Sequence, residues 1–496
     1  MSGALRPDGV GIAYPDQLYI DGRWVSPQAG GRIEIISPDT ETVVAIVAEA
    51  GPADMAAAAA AARKAFDQGP WPRMSPAERG ATLKRLVERL SQRTPELAAA
   101  WTAQVGGLAS FAPIMVGGVN ATFAHTASLG DTFAFETEVT TPLAAAALIV
   151  REPVGVVAAI APWNAPYATM AGKVGPALLA GCTVIMKPSP ETPLEAYIIA
   201  EVAHEVGLPP GVVNLVPGHR DASDRLVNDP RIDKVSFTGS TLAGKRIGAV
   251  CAERVARCTL ELGGKSAAIV LDDYDIAAAA KILASTITVM SGQVCATLSR
   301  AIVPRRRHDE LAEAIAAEMA QIRIGPSTDP ETQMGPVAMK RQLERIEDYI
   351  AKGKASGARL VAGGEQPAHL NRGYFIQPTL FANVDNASVI AQEEIFGPVL
   401  SLIPCEDEAD AVRMANDSVF GLNGSVLTHD ADAAYRIGRA IRTGNFAQNG
   451  LRADFTLPFG GFKQSGVGRE GGAEGLMAYL ETKTMLLDAA PSRKSA

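Results

Sequence analysis

The sequence predicts an α/β protein with two doubly wound parallel sheets and a small separate β element. Short, continuously apolar runs at 154–160, 183–186, 212–216 and 234–237 alternate with helical segments such as Leu194–Glu205. Runs of this kind are strands buried on both faces, joined by the helical crossovers that parallel pairing requires. A second series follows Glu261: a run at 267–271, a helical pattern opened by Asp275, a run at 301–303 and a helix over 309–321. Between 132 and 150 the pattern alternates instead, as in an antiparallel pair.

The elements follow in order. Short β patterns lie at 17–20 and 43–47, and an Ala-rich helix covers 53–66. Ser75-Pro-Ala-Glu78 is a capping box with proline at the first helical position, and another helix begins at Thr94-Pro95. With Asp275 as N-cap, the next Ala-rich helix spans 276–290 and stops at Ser291-Gly292. Cys295 follows on a turn, where its sulfur can face a cleft. A lone thiol is ordinarily a small buried hydrophobe, so its neighbours decide its meaning.

Composition narrows the function classes. The 496 residues allow two or three domains with ample cores. A net charge of -8 argues against nucleic acid as the main partner. The basic run Arg305-Arg306-Arg307 reads as a solvated loop. The 5 cysteines are dispersed and form no Cys-x-x-Cys, which suggests reduced thiols. The 6 histidines form no cluster, so no metal is expected. No apolar run reaches membrane-spanning length, and residues 1–6 lack the apolar core of a signal peptide. A cytoplasmic location is expected.

Three stretches resemble phosphate-binding loops. Gly466-Val-Gly468-Arg-Glu-Gly471 matches Gly-x-Gly-x-x-Gly, but no β run precedes it, so it reads as a turn. Gly239-Ser-Thr-Leu-Ala-Gly244-Lys245-Arg246 approaches a P-loop. Arg246 stands where a magnesium-binding hydroxyl belongs, which argues against an NTPase. A strand running into a helix N-terminus still offers N–H groups to an anion, which suits a dinucleotide pyrophosphate. Ser240 there either touches the phosphate or simply caps the helix. Lys187-Pro188 ends another run, at the end where open α/β sheets bind ligands.

Seven strings occur in register: Pro162-Trp-Asn-Ala-Pro166, Lys187-Pro-Ser-Pro-Glu191, Phe237-Thr-Gly-Ser240, Glu261-Leu-Gly-Gly-Lys265, Gly292-Gln-Val-Cys295, Glu394-Ile-Phe-Gly-Pro398 and Pro458-Phe-Gly-Gly461. Together they resemble the NAD(P)-dependent aldehyde dehydrogenase superfamily, from about residue 17 to 485. The resemblance implies a Rossmann-like cofactor-binding domain from 1–131 and 154–260, a catalytic domain over 261–462, and an oligomerisation element from 132–153 and 478–496. It implies NAD as cofactor, with NADP as the alternative, and a homodimer or homotetramer.

A thiolate adds to an aldehyde carbon, and the thioester left after hydride loss is readily hydrolysed. The resemblance makes Cys295 that nucleophile, expected to be ionised. It gives the alkoxide two donors, the Asn164 side-chain amide and the Cys295 N–H. Glu261 resembles the general base. A carboxylate in the apolar run Thr259-Leu-Glu261-Leu is expected to have a raised pKa, fit to take a proton from water. Lys173 and Glu470 match a proton relay. Branches that pass the acyl group to coenzyme A typically lack this glutamate, so a free acid is expected.

For the cofactor, the resemblance places Lys187 at the adenosine ribose, Ser240 with Gly239 at the pyrophosphate, and Trp163 beside that half. Glu394 matches the nicotinamide ribose and Phe396 the ring; Gly218, Phe237 and Leu262 complete the set. Many NAD-preferring members carry a ribose-chelating glutamate three residues after the lysine. Here Pro190 occupies that position and Glu191 is displaced by one, so the adenosine 2′ site is expected to lack its anionic guard.

Ala165, Thr169 and Gly172 match positions lining the family's substrate tunnel, with Val294, Ala296 and Phe459 also assigned to substrate. Small residues there, with Phe459, Leu457 and Phe455 as an apolar far wall, imply a bulky apolar aldehyde, aromatic or terpenoid. A semialdehyde or short-chain aldehyde is the alternative, with Arg452 as the candidate clamp for an anionic end. A cofactor-independent thiol hydrolase or acyltransferase needs a histidine base, and no histidine lies in a matching motif. The expected partner is thus a small-molecule aldehyde, with no nucleic acid and no membrane.

Overall fold

The computed structural model describes residues 11–492. The reading of residues 1–6 as lacking a leader, and the outer ends of the ranges 1–131 and 478–496, lie outside the described residues. Five parallel strands form the centre of the first sheet: Val156–Ile160, Thr183–Lys187, Val213–Leu215, Lys234–Thr238 and Arg257–Glu261. Their spatial order is third, second, first, fourth, fifth. The winding reverses between Val156–Ile160 and Lys234–Thr238, which leaves a crevice at their carboxyl ends where such sheets take ligands. Leu18–Ile20 and Arg23–Val25 extend one edge, antiparallel.

Gly466–Val467 pairs antiparallel with the other edge, against Leu260 and Glu261. This corrects the reading of 466–471 as a plain turn. Two residues are too short to show as an apolar run, yet they are a strand because the sheet edge offers them partners.

The second sheet contains Ser266–Val270, Leu298–Pro304, Thr379–Ala382, Val399–Cys405, Asn423–Leu427 and Asn445–Gln448, all parallel. Arg359–Ala362 adds an antiparallel edge. Only residues 262–265 link the two sheets between Glu261 and Ser266. Four residues span at most about 14 Å. The carboxyl edge of the first sheet therefore faces the amino edge of the second.

A third sheet joins Glu136–Val139, Ala146–Pro153 and Leu480–Leu487, antiparallel. Its first strand starts later than the alternation suggested, because residue 132 still belongs to helix Ala112–Thr132.

Local signals set most helix starts. The Ser75 Oγ accepts from the Glu78 N–H, and the Glu78 carboxylate accepts from the Ser75 N–H at 2.8 Å. Asp275 accepts from the Ala278 N–H at 2.8 Å and opens Ile276–Thr288. That helix ends before the expected residue 290, because Met290 and Ser291 turn left-handed at φ 50° and 54°. Gly292 continues at φ 73°, and a Cβ there would fall 2.2 Å from the Gly397 backbone. Only glycine fits this close approach.

The basic run is also more than a solvated loop. Arg307 donates to the Leu271 and Tyr274 carbonyls, and Arg305 pairs with Glu406 at 2.9 Å.

Candidate active site

A cavity of about 1140 Å³ lies between the facing sheet edges. Asn164, Glu261, Cys295 and Glu470 all line it. So do Trp163, Gly239, Ser240, Leu262, Glu394 and Phe396. Ala165, Thr169, Gly172, Val294 and Phe459 contribute further wall.

Cys295 is half-buried, and the N–H groups of Cys295 and Ala296 are directed at its sulfur. Burial first, then the carboxylates of Glu394 and Glu261, push the thiol up to about 12. Burial and the neighbouring acids thus oppose the ionised sulfur that the sequence led one to expect.

The Asn164 side chain is locked beside it. Its Nδ2 donates to the Gln293 carbonyl at 2.9 Å, and its backbone carbonyl accepts from Trp101 Nε1 at 3.3 Å. Gln293 is itself pinned, donating to Met290 and accepting from the Ala338 N–H, each at 2.9 Å. One amide hydrogen of Asn164 remains for a ligand.

Both carboxylate oxygens of Glu261 are buried and without a hydrogen-bond partner among the described residues. Burial first, then Glu470, push its carboxyl well above the usual range, against the pull of Lys173 and Arg469. The side chain packs where a Cβ on Gly460 would lie 2.6 Å from its Oε1. Lys173 is fully buried; its Nζ donates to Thr238 Oγ1 at 2.7 Å and to Glu470 Oε1. Lys173 and Glu470 thus form one bonded cluster, which Glu261 approaches without joining.

Glu394 accepts from the Gly264 N–H at 3.0 Å. Burial raises its carboxyl to about 7, opposed by that N–H and by Lys265 and Arg345. Ser240 caps helix Thr241–Arg254, accepting from the Ala243 N–H at 3.3 Å.

Five residues assigned to the site do not line this cavity: Lys173, Lys187, Gly218, Phe237 and Ala296. Lys173 reaches it through Glu470 and Thr238, which both line it. Lys187 is buried at its strand end. A Cβ on Gly218 would meet the Ala50 carbonyl at 2.9 Å, so that residue packs on the N-terminal segment. Phe237 packs beneath Gly239, whose own Cβ would sit 2.6 Å from the ring. Ala296 is buried with Leu422 and Phe459. Of the expected far wall, Phe455 lines the cavity, while Leu457 is 59% exposed and does not. Arg452 is exposed and also outside the lining.

Sequence reasoning missed one whole wall. Met115, Gly118, Val119, Thr122, Phe123 and Thr126 line the cavity from helix Ala112–Thr132. They carry no chemical motif; their spacing of three and four residues was the available signal. Gln342 and Arg345 also line the cavity and were missed for the same reason.

The chain belongs to the aldehyde dehydrogenase family, whose model matches residues 24–485. It is 42% identical to geranial dehydrogenase of Castellaniella defragrans, over 95% of this chain and 98% of that protein. It is 40% identical to 3-succinoylsemialdehyde-pyridine dehydrogenase of a Pseudomonas species, over 95% and 98%. Among solved structures, Mycobacterium tuberculosis aldehyde dehydrogenase complexed with NAD+ superposes with a TM-score of 0.93 at 43% identity, covering 96% and 99% of the two chains. A mutant of aldehyde dehydrogenase C from Pseudomonas syringae, complexed with NAD+ and octanal, also gives 0.93, at 38% identity and covering 99% and 100%. Among the described residues, no helix is long and apolar enough to cross a membrane.

Proposed function

We propose that this protein oxidises a bulky apolar aldehyde to the free acid with NAD, Cys295 forming the thiohemiacetal and thioester. The observation that carries the reading is the convergence of Cys295, Asn164 and Glu261 on one cavity that continues to Trp163, Glu394 and Phe396.

The residues present fit a nicotinamide dinucleotide. Gly239 and Ser240 form a strand-to-helix turn at the reversal of the first sheet, where backbone N–H groups suit a pyrophosphate. Gly263 leaves the Glu394 carboxylate open, since any Cβ there would fall 2.1 Å from its Oε2. Lys187 would hold the adenosine ribose, Glu394 the nicotinamide ribose, and Phe396 the ring. When bound, the dinucleotide supplies the acceptor that takes hydride from the Cys295 adduct. Two related structures complexed with NAD+ support NAD over NADP.

The protein's own groups do the rest. Loss of the thiol proton creates a sulfur nucleophile met by the Cys295 and Ala296 N–H groups. Addition to the aldehyde places an alkoxide against the remaining Asn164 amide hydrogen and the Cys295 N–H. In the hydrolytic half, deprotonated Glu261 takes a proton from water as it attacks the thioester. The Glu470–Lys173 cluster next to Glu261 offers that proton a way out.

The substrate class rests on the cavity wall. Gly118 and Gly172 face open space, with no atom within 4 Å of an added Cβ. Geranial and octanal, named for two relatives, are both apolar aldehydes. The test is formation of reduced cofactor with NAD and a panel of aldehydes. Wild type should reduce NAD and favour a terpenoid or aromatic aldehyde over acetaldehyde, and Cys295→Ala should not. Equal activity in both proteins ends the reading, and equal kcat/KM for large and small aldehydes ends its substrate part.

A further inference from the structure

Helix Thr241–Arg254 packs on the first sheet along strand Arg257–Glu261, and the two run in opposite senses. A Cβ on Gly244 would fall 2.4 Å from Leu262, and one on Gly248 would fall 3.4 Å from Leu260. Four helical residues rise about 6 Å and two strand residues about 7 Å, so the register holds. The next step brings Cys251 to Cys258. Both join one apolar cluster with Ile247, Val250 and Leu260, and the Cys251 S–H donates to the Cys258 sulfur. The turn between them is fixed, since the Ala256 N–H donates to the Cys251 carbonyl at 2.8 Å and Val255 is left-handed at φ 58°. No Cys-x-x-Cys announced this pair; a helix returning along a strand creates it. The two thiols differ in access. Cys251 is 1% exposed, whereas Cys258 is half-buried. The hydrogen bond from Cys251 pulls the Cys258 thiol below its ordinary value, against burial and with help from the Lys234 ammonium. Neither cysteine lines the active-site cavity.

We propose that Cys251 and Cys258 are a modification site, a dithiol that hydrogen peroxide converts to a reversible disulfide apart from the catalytic thiol. The Cys258 thiolate attacks one peroxide oxygen and the O–O bond breaks. The departing hydroxide takes the proton that Cys258 gave up, leaving a sulfenic acid and one water. The Cys251 sulfur, already against Cys258, then attacks that sulfur and breaks its S–O bond. The second hydroxide leaves with the Cys251 proton as water. Peroxide thus accepts two electrons and the two thiols supply them. Cys295 reacts later, because burial and its neighbouring carboxylates oppose its thiolate.

The test treats the whole protein with one equivalent of hydrogen peroxide, alkylates the remaining thiols under denaturing conditions and maps tryptic peptides without reductant. Peptides 247–254 and 258–265 should appear joined through Cys251 and Cys258, with alkylation lost at both and kept at Cys295. Dithiothreitol should restore both sites. Cys258→Ser should leave Cys251 open to alkylation, and Cys251→Ser should accumulate a Cys258 sulfenic acid that dimedone traps. Two unlinked thiols in peroxide-treated wild type, oxidation of Cys295 ahead of the pair, or no sulfenic acid in Cys251→Ser each overturns the inference. Reduction of NAD by both serine variants before treatment shows that they are folded, so these outcomes read the dithiol and not a collapsed chain.

Discussion

The two sheets bring opposite polarity to one crevice. The first presents the carboxyl ends of its strands. Asn164 follows Val156–Ile160, Gly239 and Ser240 follow Lys234–Thr238, and Glu261 closes Arg257–Glu261. Helices leave that edge by their amino ends, so the backbone groups there are donors. The second sheet presents amino ends: Cys295 precedes Leu298–Pro304, and Glu394 with Phe396 precedes Val399–Cys405. Helix Ile276–Thr288 arrives by its carboxyl end, which offers no positive dipole to the sulfur. Both titrating groups on this side are held toward their neutral forms, the thiol near 12 and Glu394 near 7. One edge thus offers donors to negative charge, and the other holds these two groups toward their protonated forms. Glu261 sits at the junction, with four residues between it and the start of the second sheet.

The sharpest way to break this division is Glu261→Gln. Oxidation at steady state should fall by about 10²–10⁴ as hydrolysis stalls and acyl-enzyme accumulates, seen as a burst without turnover. The pH dependence has a definite sign. Because the Glu261 pKa is raised, its basic form appears only as pH rises, so wild-type hydrolysis should climb with pH and the variant should lack that limb. Removing one of the two carboxylates beside the sulfur should also lower the Cys295 pKa, read from the pH profile of thiol alkylation. A variant that alkylates like wild type contradicts the coupling.

Asn164→Ala tests the donor edge alone. It should cost about 10²–10³ in kcat while leaving the alkylation profile of Cys295 nearly unmoved. A large shift in that profile would mean that the asparagine acts through the thiol rather than the alkoxide.

The smallest expected effect belongs to the cavity wall. Gly172→Phe should raise KM for a terpenoid aldehyde by about tenfold and leave acetaldehyde nearly unchanged. Equal effects on both substrates would mean that the change disturbs the helix rather than the tunnel.

Much of this was legible in residue order. Parallel strands, the Ser75 and Asp275 caps, and the turn delivering Cys295 are local, written in short-range patterns of polarity and capping. The stripe on helix Ala112–Thr132 escaped because apolar spacing alone does not distinguish a core face from a cavity face. Phe237 and Ala296 fall outside the cavity lining because neighbours in sequence alternate between cleft and core, and only the packed partners tell which faces which.

By itself, the order of residues determined two wound sheets, a nucleophile on a glycine turn and a carboxylate in an apolar strand. Tertiary structure decided how those groups are charged and paired. The thiol is pushed up because burial and two carboxylates from distant parts of the chain surround it. The Glu191 carboxyl is held below its usual range because Ser189 and an arginine about 150 residues later reach it. Charge state depends on what surrounds a group in space, and only the folded chain brings those neighbours together.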